Sequence, residues 1–218
     1  MVTASADKLI KLWKAGVNTH TLAGHTDAVR SLAVISSEEF LSASNDATVR
    51  RWSRTGDCLG TFYGHENYIY SIALLSSSPT QVRIRVMAIS FPENGCNDKC
   101  ADQIAWVTSS EDRSVRVWEE GEVVQTLYLP AISVWSVCVL PGSGDIAAAT
   151  NDGCVRVFTR EPARMASQEV QEVYEAELSK VALAAQQNLG GVKLTDLPGP
   201  EALYEPGAKD GQQKMVRV

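Results

Sequence analysis

Asn45-Asp46-Ala47-Thr48-Val49-Arg50-Arg51-Trp52 places an aspartate at a tight turn and a tryptophan six residues later. Thr, Val and Trp are strand formers, and Asn-Asp is turn chemistry, so the octapeptide reads as a turn feeding a β-strand. The same spacing, Asp then an aromatic six residues on, occurs four times: Asp7 to Trp13, Asp46 to Trp52, Asp112 to Trp118 and Asp152 to Phe158. The aspartates follow one another at steps of 39, 66 and 40 residues, and Gly24-His25 and Gly64-His65 also stand 40 apart. One such match is weak. Four in phase with two Gly-His pairs mark a repeat architecture.

Working outward from the octapeptide, residues 29–35, 40–44, 48–52 and 58–63 each read as a short strand bounded by turn residues. Four strands in about 40 residues describe one blade of a β-propeller. The expected fold is therefore all-β, a partial WD40-type β-propeller of about three and a half blades with a C-terminal α-helix and linker. Residues 1–159 form the propeller part, 160–190 a helical segment, and 191–218 a linker and the start of a truncated following domain. Met1-Val2-Thr3 falls inside the second strand of a blade, so the expectation is an N-terminally truncated propeller with two unsatisfied sheet edges. No outer strand for the last blade is expected after Phe158.

Repetition also interprets the polar residues. Buried polar groups need partners, so a His entering a blade, a Ser or Thr on its second strand, the turn Asp and the Trp indole are expected to form one relay. His25, Ser42, Asp46 and Trp52 make one set, and His65, Thr108, Asp112 and Trp118 another, with Asp expected to bridge to the indole. The fourth unit departs: Leu129-Pro130, Ala148 and Phe158 replace Gly-His, Ser/Thr and Trp, so apolar packing is expected there. A His and an Asp that recur once per blade are structural rather than a catalytic dyad. No nucleophile elbow, glycine-rich phosphate loop or His-Glu-x-x-His is present, so no enzyme, cofactor or metal is expected. Cys96-x-x-x-Cys100 has no second ligand pair beside it to complete a zinc site.

Composition excludes further classes. The net charge is −6 with no Lys/Arg cluster beyond two in a row, which lacks the basic stripe of a nucleic-acid binder. No apolar run reaches the roughly 18 residues of a membrane span. Five scattered cysteines suit reduced thiols inside a cell better than a disulfide framework. The 66-residue step holds about 26 residues beyond the others, at about 80–105. Two readings stay open: a natural long surface loop, or a retained intron, since Gln81-Val82-Arg83 matches a splice-donor reading of its codons; sequencing the transcript across it decides. Further on, Val170, Val173, Tyr174, Leu178 and Val181 recur at helical spacing behind a Ser167 N-cap, and residues 213–218 begin an alternating apolar pattern.

Residues 45–52, 63–70, 111–118 and 152–158, with the tail Leu197-Pro198-Gly199 and Glu205-Pro206-Gly207-Ala208, resemble the phospholipase A-2-activating protein family. The resemblance implies a seven-bladed propeller, a ubiquitin-binding middle domain and a C-terminal helical-repeat domain that docks an AAA ATPase. It implies a non-catalytic adaptor of ubiquitin-dependent degradation, cytoplasmic and nuclear, with ATPase docking only in a full-length form. The alternative is a scaffold regulating phospholipase and lipid signalling. Propellers of this kind bind on the face lined by inner-strand starts and second-to-third-strand turns, here Arg30, Asn45, Tyr68, Tyr70, Glu111, Trp135 and Asn151. Exposed Tyr, Trp and Arg dominate interface energetics, and a mildly acidic aromatic face suits ubiquitin, which presents an apolar patch ringed by basic residues.

Overall fold

The computed structural model describes residues 1–75, 104–159, 161–187 and 215–217, of which 182–187 and 215–217 are described by backbone alone. Four small sheets follow one another along the chain. The first holds β1 (Val2–Ala4), β2 (Ile10–Lys14) and β3 (Val17–Leu22). The second holds β4 (Val29–Val34), β5 (Glu39–Ser44), β6 (Thr48–Ser53) and β7 (Cys58–Tyr63). The third holds β8 (Ile69–Leu75), β9 (Ala105–Ser110), β10 (Ser114–Glu119) and β11 (Glu122–Tyr128). The fourth begins with β12 (Val134–Val139), β13 (Ile146–Thr150) and β14 (Val155–Phe158). Within each, consecutive strands are antiparallel neighbours, the meander of a propeller blade.

The turns explain why the motif aspartate repeats. Lys8, Ala47, Arg113 and Gly153, each directly after a motif aspartate, all have positive φ, between 63° and 78°. Asp46 holds that turn by accepting from the Thr48 N–H at 3.0 Å, and Asp112 does the same for the Ser114 N–H at 3.1 Å. A short acceptor two residues ahead of the strand start closes the tight turn locally.

Core residues lie between blades rather than inside them. Ile10, Leu12 and Leu22 of the first sheet meet Val29, Phe40 and Trp52 of the second. Leu41, Ala43 and Val49 of the second meet Ile69, Ile72, Trp106 and Trp118 of the third. Val107, Val115 and Val117 of the third meet Val134, Val137, Ala148 and Phe158 of the fourth. The second and third sheets are thus apolar on both faces, and Trp52, Trp118 and Phe158 each pack toward the preceding blade. Serines on the inner strands stitch the blades together: Ser31 Oγ accepts from the Ile72 N–H at 3.3 Å, and Ser71 Oγ donates to the Val137 carbonyl at 3.4 Å.

Two expectations need correction here. The last blade does have a fourth strand: β15 (Met215–Arg217) pairs with β14, matching Val155 to Met215 and Val157 to Arg217. It runs parallel, unlike β3, β7 and β11, because it arrives after the helix and not through a hairpin turn. Ala105, placed at the edge of the insertion, belongs to the blade, since it opens β9 and pairs with Leu75. Ile104 is described too, partly buried against the second core; residues 80–103, with Cys96 and Cys100, lie outside the described residues, as does most of 191–218.

Helix α1 (Gln168–Gln187) follows a 3-10 turn at Pro162–Arg164. The carbonyl of Ser167 accepts from the Val170 and Gln171 N–H groups, both at 3.1 Å, at the start of the helix. Tyr174 packs on the third core, and its hydroxyl donates to the Tyr128 carbonyl at 2.6 Å. The expected apolar stripe is not all buried: Val173 is 58% exposed. A lone helix meets the blades along a narrow line, and Val173 stands about 100° around the helix from Tyr174. Among the described residues no helix is long and apolar enough to cross a membrane.

Candidate partner-binding rim

Beneath the rim lie the two relays, built from the residues the sequence assigns to them. His25 Nδ1 lies 2.8 Å from Asp46 Oδ2, its Nε2 lies 2.7 Å from Ser42 Oγ, and the Trp52 indole donates to Ser42 Oγ at 2.8 Å. In the next blade the same three distances are 2.7, 2.6 and 2.8 Å for His65–Asp112, His65–Thr108 and Trp118–Thr108. The expected bridge from Asp to the indole is overturned: the indole bonds the hydroxyl, and Asp bonds the far side of the imidazole. Donor counting explains the order. A carboxylate only accepts, so Nδ1 carries the proton, Nε2 accepts from the hydroxyl, and the hydroxyl oxygen accepts from the indole.

Burial alone would raise the Asp46 and Asp112 carboxyls. Hydrogen bonds from the histidines and from Thr48 and Ser114, with those from the Thr26 and Glu66 N–H groups, outweigh it and hold both well below the usual carboxylate range. His65 is shifted down by burial, against the pull of Asp112, which keeps the neutral form the relay needs. Because Asp46 and Asp112 also accept from the Thr26 and Glu66 N–H groups at 2.9 and 3.2 Å, each relay pins the loop that leads onto the rim.

The first blade keeps part of this device, with the Trp13 indole donating to Thr3 Oγ1 at 2.8 Å. In the fourth blade Leu129, Ala148 and Phe158 do pack together as expected. A second, polar set was not legible there. Arg156 donates to Thr150 Oγ1 at 2.7 Å and to Asp152 Oδ2 at 2.8 Å. Without a His, the turn aspartate is satisfied by the strand arginine four residues on. Burial would lower the Arg156 pKa, but Asp152 raises it further, and Arg156 in turn holds the Asp152 carboxyl down against burial.

The rim itself comes from a repeated irregularity. The register of each inner strand shifts once, between Val29 and Ser31, Ile69 and Ser71, and Val134 and Ser136. The skipped residues are Arg30, Tyr70 and Trp135. A bulge leaves one residue unpaired and re-aims its side chain, so three equivalent positions present an Arg, a Tyr and a Trp. Arg30 Nε donates to Asn45 Oδ1 at 2.9 Å, and the Tyr70 hydroxyl donates to Glu111 Oε2. Burial, then Glu111, push the Tyr70 hydroxyl up to about 12, and Arg30 and Tyr68 also act on it electrostatically. The third position differs. Asn151 Oδ1 caps the Ile132 and Ser133 N–H groups at 2.9 and 3.1 Å, which makes Asn151 a support for the loop.

Trp135 is left 59% exposed, and Tyr68 is 43% exposed. Ile132, 41% exposed on the loop before Trp135, is a second exposed apolar residue of this blade and was missed in the sequence. Aligning that loop with Asp27 and Asn67 of the other blades would have exposed it as the one apolar residue at its position.

Comparison with known proteins agrees with this architecture. The family described as "WD domain, G-beta repeat" matches residues 16–53 and 56–119. A solved WD40 β-propeller domain of Doa1 is 38% identical with a TM-score of 0.62, over 76% of this chain and 48% of that one. The chain is a partial WD40-type β-propeller. Among its WD-repeat homologues, ubiquitin homeostasis protein lub1 of Schizosaccharomyces pombe is 35% identical over 91% of this chain and 24% of its own length. Phospholipase A-2-activating protein of Xenopus laevis is 47% identical over 43% of this chain and 12% of its own length. This WD-repeat chain thus spans about a quarter of the lub1 relative's length.

Proposed function

We propose that this chain is the propeller part of a non-catalytic adaptor in ubiquitin-dependent protein degradation, active in the cytoplasm and nucleus, and that its rim binds ubiquitin or ubiquitinated proteins. The observation that carries the reading is the set of three inner-strand bulges that turn Arg30, Tyr70 and Trp135 onto one rim. The homology to a protein named for ubiquitin homeostasis points the rim at ubiquitin. An exposed Trp, with a Tyr and an Arg at the equivalent positions of the two preceding blades, is the composition of a binding hot spot. The His–Asp pairs are committed to the relays, which supports a binding role over a hydrolytic one. AAA ATPase docking is assigned only to a full-length form.

Titrating ubiquitin into the chain tests the proposal, beside a phospholipase lipid-release assay. Saturable ubiquitin binding that Trp135→Ala weakens at least tenfold, with lipid release unaffected, is the expected result. Lipid release stimulated by the chain without any ubiquitin binding would instead favour a phospholipase regulator, the reading attached to the Xenopus homologue's name.

A further inference from the structure

The three rim positions are chemically ordered around the arc. In the second blade Arg30 leans on the neutral amide of Asn45, so that position is cationic. In the third, Glu111 is held by neutral groups: the Tyr70 hydroxyl bonds its carboxylate, and its backbone N–H bonds the Tyr68 carbonyl at 2.9 Å. Among the described residues no salt bridge neutralises Glu111. In the fourth, Trp135 stands exposed with Ile132 beside it on the chain, while Asn151 is occupied with the loop. Turn for turn, Asn45, Glu111 and Asn151 are equivalent, and Glu111 alone is charged.

Tyr70 and Trp135 leave adjacent inner strands, β8 and β12, joined one residue beyond Tyr70 by the bond from Ser71 to the Val137 carbonyl. Neighbouring blades pack at the face-to-face spacing of sheets, about 10 Å. The third blade therefore offers a carboxylate oriented by a hydroxyl, on the blade next to the one that carries the exposed apolar anchor. A carboxylate whose geometry is set in advance by a hydroxyl loses little side-chain freedom when it takes a cation.

We propose that Glu111, oriented by Tyr70, is the acceptor for a lysine or arginine of the bound protein, next to the apolar patch that Trp135 and Ile132 take. The inference rests on the ubiquitin reading, since ubiquitin carries such a patch ringed by basic residues, and it assigns that face an orientation: patch toward the fourth blade, basic edge toward the third. Arg30, of the opposite sign, lies on the far side of Glu111 and keeps the basic edge from sliding further round the arc. Tyr70 is a positioning residue and Glu111 the contact.

The test is calorimetric titration of ubiquitin into the full chain at low and high salt. Glu111→Gln is expected to weaken binding about three- to tenfold at low salt and to flatten the salt dependence, as losing one interfacial ion pair does. Tyr70→Phe, which keeps the ring and removes the hydroxyl, should give a smaller loss, and Arg30→Gln should bind as well as the parent or better. With ubiquitin whose basic residues around the patch are changed to glutamine, the effect of Glu111→Gln should vanish. If Glu111→Gln binds like the parent at low salt while Trp135→Ala is impaired, the Glu111 assignment is overturned and the ubiquitin reading stands. No binding by the parent chain overturns both. Near-ultraviolet circular dichroism checks that each variant keeps its fold.

Discussion

At the scale of single residues, the glycine of each Gly-His pair is explained by what lies beneath it. A Cβ on Gly64 would sit 2.7 Å from the Trp118 ring and 3.2 Å from Arg116 Nη1, and one on Gly24 would sit 2.9 Å from the Trp52 ring. In the fourth blade Phe158 replaces Trp, and the smaller ring leaves room for Leu129 at the glycine position, where it is fully buried. Gly64→Ala is therefore expected to destabilise the chain by about 1–3 kcal/mol, the range for overpacking, and chemical denaturation will read it. An unchanged midpoint would show that the ring moves aside freely. The relay hydroxyl is equally exposed to test. Thr108→Val keeps the shape but strands both the Trp118 indole and His65 Nε2, at about 2–3 kcal/mol. A loss under about 0.5 kcal/mol would mean that water replaces the hydroxyl.

At the scale of the blade, the same strand arginine does different work in different places. Arg116 Nη2 stands 3.6 Å from an Asp112 that already has His65, Ser114 and the Glu66 N–H. Arg156 is the charged partner of Asp152 in a blade without a His. Arg156→Met should thus cost about 2–4 kcal/mol, approaching the penalty for stranding a buried charge, whereas Arg116→Met should cost about 1 kcal/mol for its share of a redundant network. Paired melts of the two variants check the difference, and equal losses would contradict the substitution of Arg for His. Blade limits were legible in the alternating pattern, because one slip in register would turn apolar residues to solvent. The polar set of the fourth blade was not legible, since Thr150 and Arg156 are ordinary strand residues until the missing His leaves Asp152 unpartnered.

At the scale of the whole molecule, the relays tie stability to pH with one sign. His65 is held below its ordinary value near 6.5, so the unfolded chain gains the extra proton first as pH falls, and stability drops below about pH 6.5. Asp46, Asp112 and Asp152 are held below the ordinary value near 3.9, so their contribution is present above that pH and lost beneath it. Two descending stages are expected in melting temperature, a shallow one between pH 7 and 5 and a steeper one below about pH 4. A profile flat from pH 7 to 5 would show that His65 titrates alike in both states. Because the cores lie between blades, each relay supports its neighbours, and loss in one blade is expected to lower the single cooperative transition of all.

The repeated Asp-x5-Trp spacing, the Gly-His pairs and the strand alternation determined the blade architecture by themselves, because turn closure and two-residue periodicity are local properties of the chain. Membership of His25, Ser42, Asp46 and Trp52 in one relay was equally readable, since burial obliges such groups to find one another. Their order was not, nor were the direction of the last blade's outer strand, the contact of Tyr174 with Tyr128, or the pairing of Tyr70 with Glu111 across 41 residues. Those depend on which groups the packed blades bring within about 3 Å, and short-range sequence patterns carry no record of distances closed only by tertiary structure.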